Sequence, residues 1–69
     1  MNFKAKLLEL LKNKFRKQKH VFAKNIGVSA AMISKYLSGE CLPAFKTALK
    51  IRQESDGSIT LRDMGFDVD

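Results

Sequence analysis

Residues 19–38, KHVFAKNIGVSAAMISKYLS, contain two short stretches with helical periodicity, joined by a tight turn. Gly27 favours the positive φ that such a turn requires, and Ser29 is a suitable N-cap for the helix that follows. We therefore predict a helix-turn-helix at this point of the chain. The predicted core residues are Phe22, Ala23 and Ile26 in the first helix, and Ile33, Tyr36 and Leu37, with Met32 partly covered, in the second.

The second helix of this unit, residues 30–38, carries small side chains opposite its core residues. Ser29 precedes this outer face, which consists of Ala30, Ala31, Ser34, Lys35 and Ser38. Small side chains let a helix enter a DNA groove deeply, hydroxyls pair with base edges, and alanine methyls can touch thymine methyls. Lys35 can reach a guanine edge or a phosphate. The pattern favours a DNA recognition helix; the alternative is a helix that packs against another protein.

The composition agrees with one small DNA-binding domain. The chain has 69 residues, a formal net charge of +6 and a pI near 9.8, so a polyanionic partner is expected. So small a core gains stability from dimerisation. The single cysteine, Cys41, excludes an internal disulfide and fits a reducing cytoplasm. The sequence has no apolar run of about 20 residues, and we expect neither a signal peptide nor a membrane span.

Catalysis and metal binding are not expected. The sequence shows no carboxylate pair, no cysteine–histidine pair and no glycine-rich phosphate loop. His20 lacks partners at a metal-ligand spacing, and we interpret it as a surface residue. Cys41 has no neighbour that would activate it as a nucleophile. We therefore predict no enzyme activity, no cofactor, no metal and, in so short a chain, no sensor domain for a small-molecule ligand.

The flanking helices are predicted from apolar spacing. The first helix extends from residue 3 to about 16, with Asn2 as N-cap, and its lysines form either a solvated basic face or, at residues 16–19, a contact with DNA phosphates. A fourth helix has Pro43 in its first turn and ends near Ser55. The predicted core positions are Phe3, Leu7, Leu10, Leu11 and Phe15 in the first helix, and Phe45, Ala48, Leu49 and Ile51 in the fourth.

The segment after Asp56-Gly57 admits two structures. In the preferred one, Thr60 and Asp63 form a capping box, Ile59 and Met64 form a hydrophobic staple, and Gly65 ends a single-turn fifth helix. In the other, residues 59–61 form a short strand after an Asp-Gly turn. The apolar side chains of this tail either close the core or form a dimer contact.

The helix-turn-helix resembles that of the lambda repressor/Cro-type family. The resemblance rests on Gly27, on the small Ala23 four residues before it and on the branched Ile33 six residues after it. It continues through Pro43-Ala44-x-x-x-Ala48-x-x-Ile51 and Gly57-x-Ile59-Thr60-x-x-Asp63-Met64, as in short Cro-like and YdaS-like regulators. It implies an all-α, five-helix lambda-repressor-like domain over residues 1–69, or an α+β variant with a short C-terminal strand or hairpin.

The resemblance also implies a function and a site. It implies a phage-type repressor that binds an operator in double-stranded DNA as a homodimer in the bacterial cytoplasm. The family often has glutamine at the first residue of the second helix, where it contacts phosphate and braces the recognition helix; here Lys19 stands there, preceded by Gln18. The alternative is an antitoxin-type protein-interaction module. The expected DNA-binding residues are Gln18, Lys19, Ser29, Ala30, Ala31, Ser34, Lys35 and Ser38.

Overall fold

The computed structural model describes residues 3–16 and 18–68 and is all-α, as predicted. Its elements are four α-helices, α1 (Phe3–Asn13), α2 (Lys19–Ile26), α3 (Ala30–Ser38) and α4 (Phe45–Glu54), followed by a 3₁₀ turn, Arg62–Met64. The expected count of five helices is therefore wrong, because the last element is one 3₁₀ turn rather than a fifth α-helix. The described ranges contain no strand, so the alternative with a C-terminal strand is not observed.

The first helix ends three residues earlier than predicted. It stops at Asn13, and Arg16 has a left-handed φ of 50°. In the turn that follows, Phe15 packs edge-on against Phe22 of α2, with ring centroids 5.0 Å apart. The predicted N-cap Asn2, and Lys17 in the link, lie outside the described residues.

The helix-turn-helix forms through the predicted local interactions. Gly27 has a φ of 78° and ends α2, and the amide of Val28 donates to the carbonyl of Ala23 at 2.9 Å. Ser29 then caps α3, its Oγ accepting from the amide of Met32 at 3.2 Å. Ala23 is buried, and α2 packs against both α3 and α4. The turn and the cap thus set the angle between α2 and α3.

A contiguous core joins all four helices and the tail. The one buried polar residue in the described part of the chain is Ser55, whose hydroxyl donates to the carbonyl of Arg52 and accepts from the amide of Ile59, both at 3.0 Å. Those two bonds hold the turn that leads out of α4. The core residues are Phe3, Leu7, Leu11, Phe22, Ala23, Ile26, Ile33, Tyr36, Ala48, Ile51, Ile59, Leu61 and Met64, with Leu10, Phe15, Val28, Met32, Leu37, Cys41 and Phe66 packed against it.

Three predictions for the fourth helix are wrong. Pro43 lies before the helix rather than in its first turn, because Ala44 is the N-cap and α4 begins at Phe45. Phe45 and Leu49 were expected in the core but are 47% and 37% exposed. Ala48 and Ile51, the other two predicted core positions of this helix, are fully buried as expected. The apolar residues of this helix fall on two overlapping faces. The face with Ala48 and Ile51 is buried, and the face with Phe45 and Leu49 is exposed.

The tail closes the core through the predicted capping box. The amide of Thr60 donates to Asp63 Oδ2 at 3.0 Å, and the amide of Asp63 donates to Thr60 Oγ1 at 3.1 Å. Gly65 ends the 3₁₀ turn with a φ of 98°. Lys6 of α1 adds an ion pair of 2.7 Å to the same Asp63 Oδ2. The predicted staple residues Ile59 and Met64 are both buried, so the tail is part of the folded domain.

Candidate nucleic-acid interface

The outer face of α3 is open to solvent along the whole helix. Ile33 and Tyr36 are buried beneath it, which fixes the rotation of the helix about its own axis. Methyl groups, hydroxyls and one ammonium are thereby presented outward, with no long side chain except that of Lys35. The exposed residues are those predicted: Ser29, Ala30, Ala31, Ser34, Lys35 and Ser38.

The three hydroxyls of this face differ in what they already bind. Ser29 Oγ accepts from the amide of Met32, so its own hydrogen stays available for an acceptor such as a phosphate oxygen. Ser38 Oγ lies 3.0 Å from the carbonyl of Lys35 and 3.3 Å from Glu40 Oε2. Since both groups accept its single hydrogen, Ser38 is engaged within the protein. It is the least available of the predicted contact residues.

Lys19 contacts α3 directly. Its Nζ donates to Ser34 Oγ at 3.3 Å, and both residues are exposed. The lysine thus connects the start of α2 to the middle of α3. Gln18 precedes α2, and its carbonyl accepts from the amide of Val21, but its side chain forms no capping bond. Gln18 is exposed beside Lys19.

Further lysines flank α3, and the sequence interpretation did not assign them. The ammonium of Lys4 lies 3.3 Å from where a β-carbon would stand on Gly39, at the end of α3. Lys50 of α4 lies 3.5 Å from the same point on Gly27, in the turn before α3. Lys12 lines a groove between α1 and α3, together with Leu8, Leu11, Lys19 and Leu37. Lys4, Leu8 and Lys12 recur every four residues and therefore lie on one side of α1. This pattern could have identified Lys4 and Lys12 from the sequence.

Most of the acidic groups lie in the C-terminal part of the chain, although Glu40 follows α3 directly. Five of the seven acidic residues fall in residues 54–69. Lys14 contacts this part through a 2.7 Å hydrogen bond to the carbonyl of Glu54 and a 3.8 Å ion pair with Asp56. Hydrogen bonds from Lys6 and Thr60 lower the pKa of Asp63 below its usual value. The segment after α4 therefore supplies partners for Lys6 and Lys14.

The remaining chemistry-bearing residues do not assemble into a second site. Residues 3–16 and 18–68 contain no group of three potential metal-ligating side chains. His20 is exposed at the start of α2, and Cys41 is a partly buried free thiol. Burial, aided by Cys41, raises the pKa of Tyr36, so its phenol stays neutral. Across the same ranges, every helix is too short or too polar to cross a membrane.

Comparisons with family models, with curated proteins and with solved structures found no match for this chain.

Proposed function

We propose that this protein is a sequence-specific double-stranded DNA-binding transcriptional regulator with a lambda-repressor-like arrangement of helices. In this proposal α3 enters the major groove, and Ser34, Lys35, Ala30 and Ala31 face the base edges. Lys19 holds a phosphate at the edge of the groove. The protein represses by occupying an operator in the cytoplasm of a bacterial cell, without a cofactor and without covalent chemistry.

The observation that carries the proposal is the combination of an exposed, small-residue face on α3 with lysines around it. A helix exposed only to solvent has no reason to carry small side chains at four of its five outer positions, Ala30, Ala31, Ser34 and Ser38. A helix that packs closely against a helix of another protein would also carry small residues. Such a contact would not require lysines from three other helices around it. Lys4, Lys19 and Lys50 come from α1, α2 and α4. A polyanion that receives a helix in a groove fits both features.

The proposed regulator acts as a homodimer, because helix-turn-helix proteins bind palindromic sites with two-fold symmetry. Leu42, Phe45 and Leu49 are exposed apolar residues, here called the apolar patch; Phe45 and Leu49 lie one turn apart on α4, and Phe45 packs edge-on against Phe66 at 5.3 Å. The chain neighbours of that aromatic pair are the exposed Lys46 and Asp67, of opposite charge. A patch with both signs at its rim can pair with its own copy. The acidic neighbour also makes it a poor surface for DNA.

The decisive experiment is selection of bound sites from random duplex DNA, followed by footprinting. We expect an enriched palindrome with half-sites about 34 Å apart, one helical turn of DNA. Absence of enrichment over the input library would contradict sequence-specific binding. Enrichment of a single half-site would keep DNA recognition but contradict the dimer.

Two substitutions of the same kind provide the control. Ser34→Glu places a carboxylate on the outer face of α3, and Ser58→Glu places one in the exposed turn near the tail. Both reduce the net charge equally. We expect Ser34→Glu to abolish enrichment and Ser58→Glu to preserve it, with circular dichroism confirming that both variants are folded. Equal loss for the two would indicate that only net charge matters.

A second candidate is an antitoxin-type module whose main partner is another protein. The exposed patch of Leu42, Phe45 and Leu49 favours it, because this is an apolar surface next to the tail. Purification from the native host distinguishes the two. A stoichiometric second protein that stays bound after nuclease treatment, and that is released by Leu49→Gln, would support the antitoxin function.

A further inference from the structure

The lysines of α1 are divided between two sides of the helix. Lys4 and Lys12 are eight residues apart, as are Lys6 and Lys14, the latter just after the helix. Residues two apart on an α-helix of 3.6 residues per turn point to nearly opposite sides. The pair Lys4 and Lys12 therefore has the same spacing and charge as the pair Lys6 and Lys14, but the two pairs lie on different sides of α1.

The pair on the tail side is neutralised within the protein. Lys6 donates to Asp63 at 2.7 Å. Lys14 donates to the carbonyl of Glu54 at 2.7 Å and lies 3.8 Å from Asp56. An ammonium that pairs with a carboxylate or caps a helix C-terminus has already found its counter-charge. These two lysines serve the docking of the tail and of α4.

The pair on the α3 side has no such partner within residues 3–16 and 18–68. Both lysines are exposed. Lys4 lies at the C-terminal end of α3 beside Gly39, and Lys12 lies beside Lys19 in the groove between α1 and α3. Eight residues of helix rise about 12 Å. Measured along the axis of the duplex, one strand carries a phosphate about every 3.4 Å, so a length of about 12 Å passes roughly three to four phosphates of that strand.

We infer that α1 is a second DNA-contacting element, in which Lys4 and Lys12 hold phosphates of the strand that borders the groove entered by α3. This inference rests on the proposed function and extends it from the recognition helix to a helix outside the helix-turn-helix. The contacts are independent of base sequence, because phosphates are the same at every position. They position α3 and increase affinity for all duplex DNA equally.

A membrane surface is a less suitable partner for the same lysines. Membrane-surface helices bury an apolar face in the lipid, whereas Phe3, Leu7 and Leu11 of α1 are already buried in the protein core. Leu8 is the exposed apolar residue between Lys4 and Lys12, and it is 46% exposed. One leucine gives little hydrophobic anchoring. A rigid row of phosphates next to α3 suits the geometry better.

The test compares two double variants that change the same charge at the same spacing. Lys4→Gln/Lys12→Gln and Lys6→Gln/Lys14→Gln each remove two of the six net positive charges. Binding of the full chain to operator and to random duplex DNA is measured between about 50 and 200 mM salt. We expect the first variant to reduce the slope of log affinity against log salt by about 1.8, or 0.9 per phosphate. The second should leave that slope unchanged.

Two further measurements distinguish direct phosphate contacts of Lys4 and Lys12 from the effect of the net charge on DNA binding. Ethylation interference should show two phosphates that matter for the wild type and for Lys4→Arg/Lys12→Arg, but not for Lys4→Gln/Lys12→Gln. Circular dichroism at the assay temperature shows that each variant is folded. The affinity loss should be equal for operator and random DNA.

The outcomes distinguish this inference from the function on which it rests. If the wild type binds DNA but both double variants reduce the slope equally, or neither does, α1 holds no phosphates and the inference is overturned while the proposed function stands. If the wild type binds no duplex DNA, both are overturned. If Lys4→Gln/Lys12→Gln instead loses binding only to vesicles of mixed phosphatidylserine and phosphatidylcholine, the partner of α1 is a membrane and the inference is overturned.

Discussion

Lys19, the first residue of α2, donates a hydrogen bond of 3.3 Å from its Nζ to Oγ of Ser34 in the middle of α3. The bond crosses the two helices of the helix-turn-helix on their exposed side. It holds the exposed ammonium beside α3. A glutamine at this position would supply bracing alone, whereas lysine supplies bracing and a charge for a phosphate.

We predict that Lys19 and Ser34 are coupled in DNA binding but not in folding. Lys19→Ala, Ser34→Ala and the double variant form a cycle in which operator-binding free energies should deviate from additivity by about 0.5–1 kcal/mol. The free energy of unfolding should change by less than about 0.5 kcal/mol, since both side chains are exposed. Filter binding and thermal melting measure the two quantities. Additive binding energies would mean that the bond forms only in the absence of DNA.

Lys35→Ala should cost roughly 1–3 kcal/mol in operator binding and relax the base preference at one position. The reason is that Lys35 is the one long side chain on the outer face of α3 and, in the proposed complex, would contact a guanine edge. Competition between operator and random duplexes checks this. If both affinities fall by the same factor, Lys35 contacts a phosphate and reads no base.

Ala23→Leu should destabilise the domain by about 1–3 kcal/mol, because Ala23 is buried in the core between α2 and its neighbours. The larger side chain forces α2 away from the helices against which it packs. Chemical denaturation followed by circular dichroism measures the loss. Val21→Leu, which enlarges an exposed residue of the same helix, serves as the control and should change stability little.

The stability of the tail should depend on pH through Asp63. Because Lys6 and Thr60 lower the pKa of Asp63 from its usual value of 3.8, the folded state favours the carboxylate. The resulting stabilisation is present above pH 4 and disappears as the pH falls through the lower folded value. Asp63→Asn should therefore be less stable than wild type at pH 7, with a difference that shrinks towards pH 2. Thr60→Ala should cost about 1 kcal/mol at neutral pH, as for other lost caps.

Leu49→Gln should weaken self-association by about 10- to 100-fold, the effect expected when a leucine loses its burial in an interface. Leu8→Gln makes the same exchange at an exposed leucine of α1 and should leave self-association unchanged. Analytical ultracentrifugation, with and without a palindromic duplex, measures both. A monomer at all concentrations on DNA and off it would contradict the dimer.

The helix-turn-helix was predictable because its determinants are local. Gly27 and Ser29 act on the backbone within four residues of themselves, and both behave as the sequence indicated. The exposed side chains of α3 followed from the same periodicity. Their partners did not, since nothing in the sequence spacing predicts that Lys19 meets Ser34 or that Ser38 is engaged by Glu40.

The errors arise where tertiary packing decides between similar patterns. On α4, Phe45 and Leu49 are four residues apart and Ala48 and Ile51 are three apart; both spacings are typical of one helix face, yet only the second pair is buried. The first helix ends at Asn13, and Phe15 in the following turn contacts Phe22 of α2, which residue spacing alone does not predict. The division of the lysines of α1 depends on ion pairs across as many as 57 residues of chain.

The neutralisation of Lys6 and Lys14 by the tail has a consequence for the approach to a polyanion. Five of the seven acidic residues fall in residues 54–69, and Lys6 and Lys14 contact that segment, so the positive and negative charges of the chain are unevenly distributed. In the field of a polyanion, a molecule with an uneven charge distribution experiences a torque before any contact forms. Under the proposed function, this torque would turn the lysines around α3 towards the duplex and so raise the productive fraction of collisions at low ionic strength.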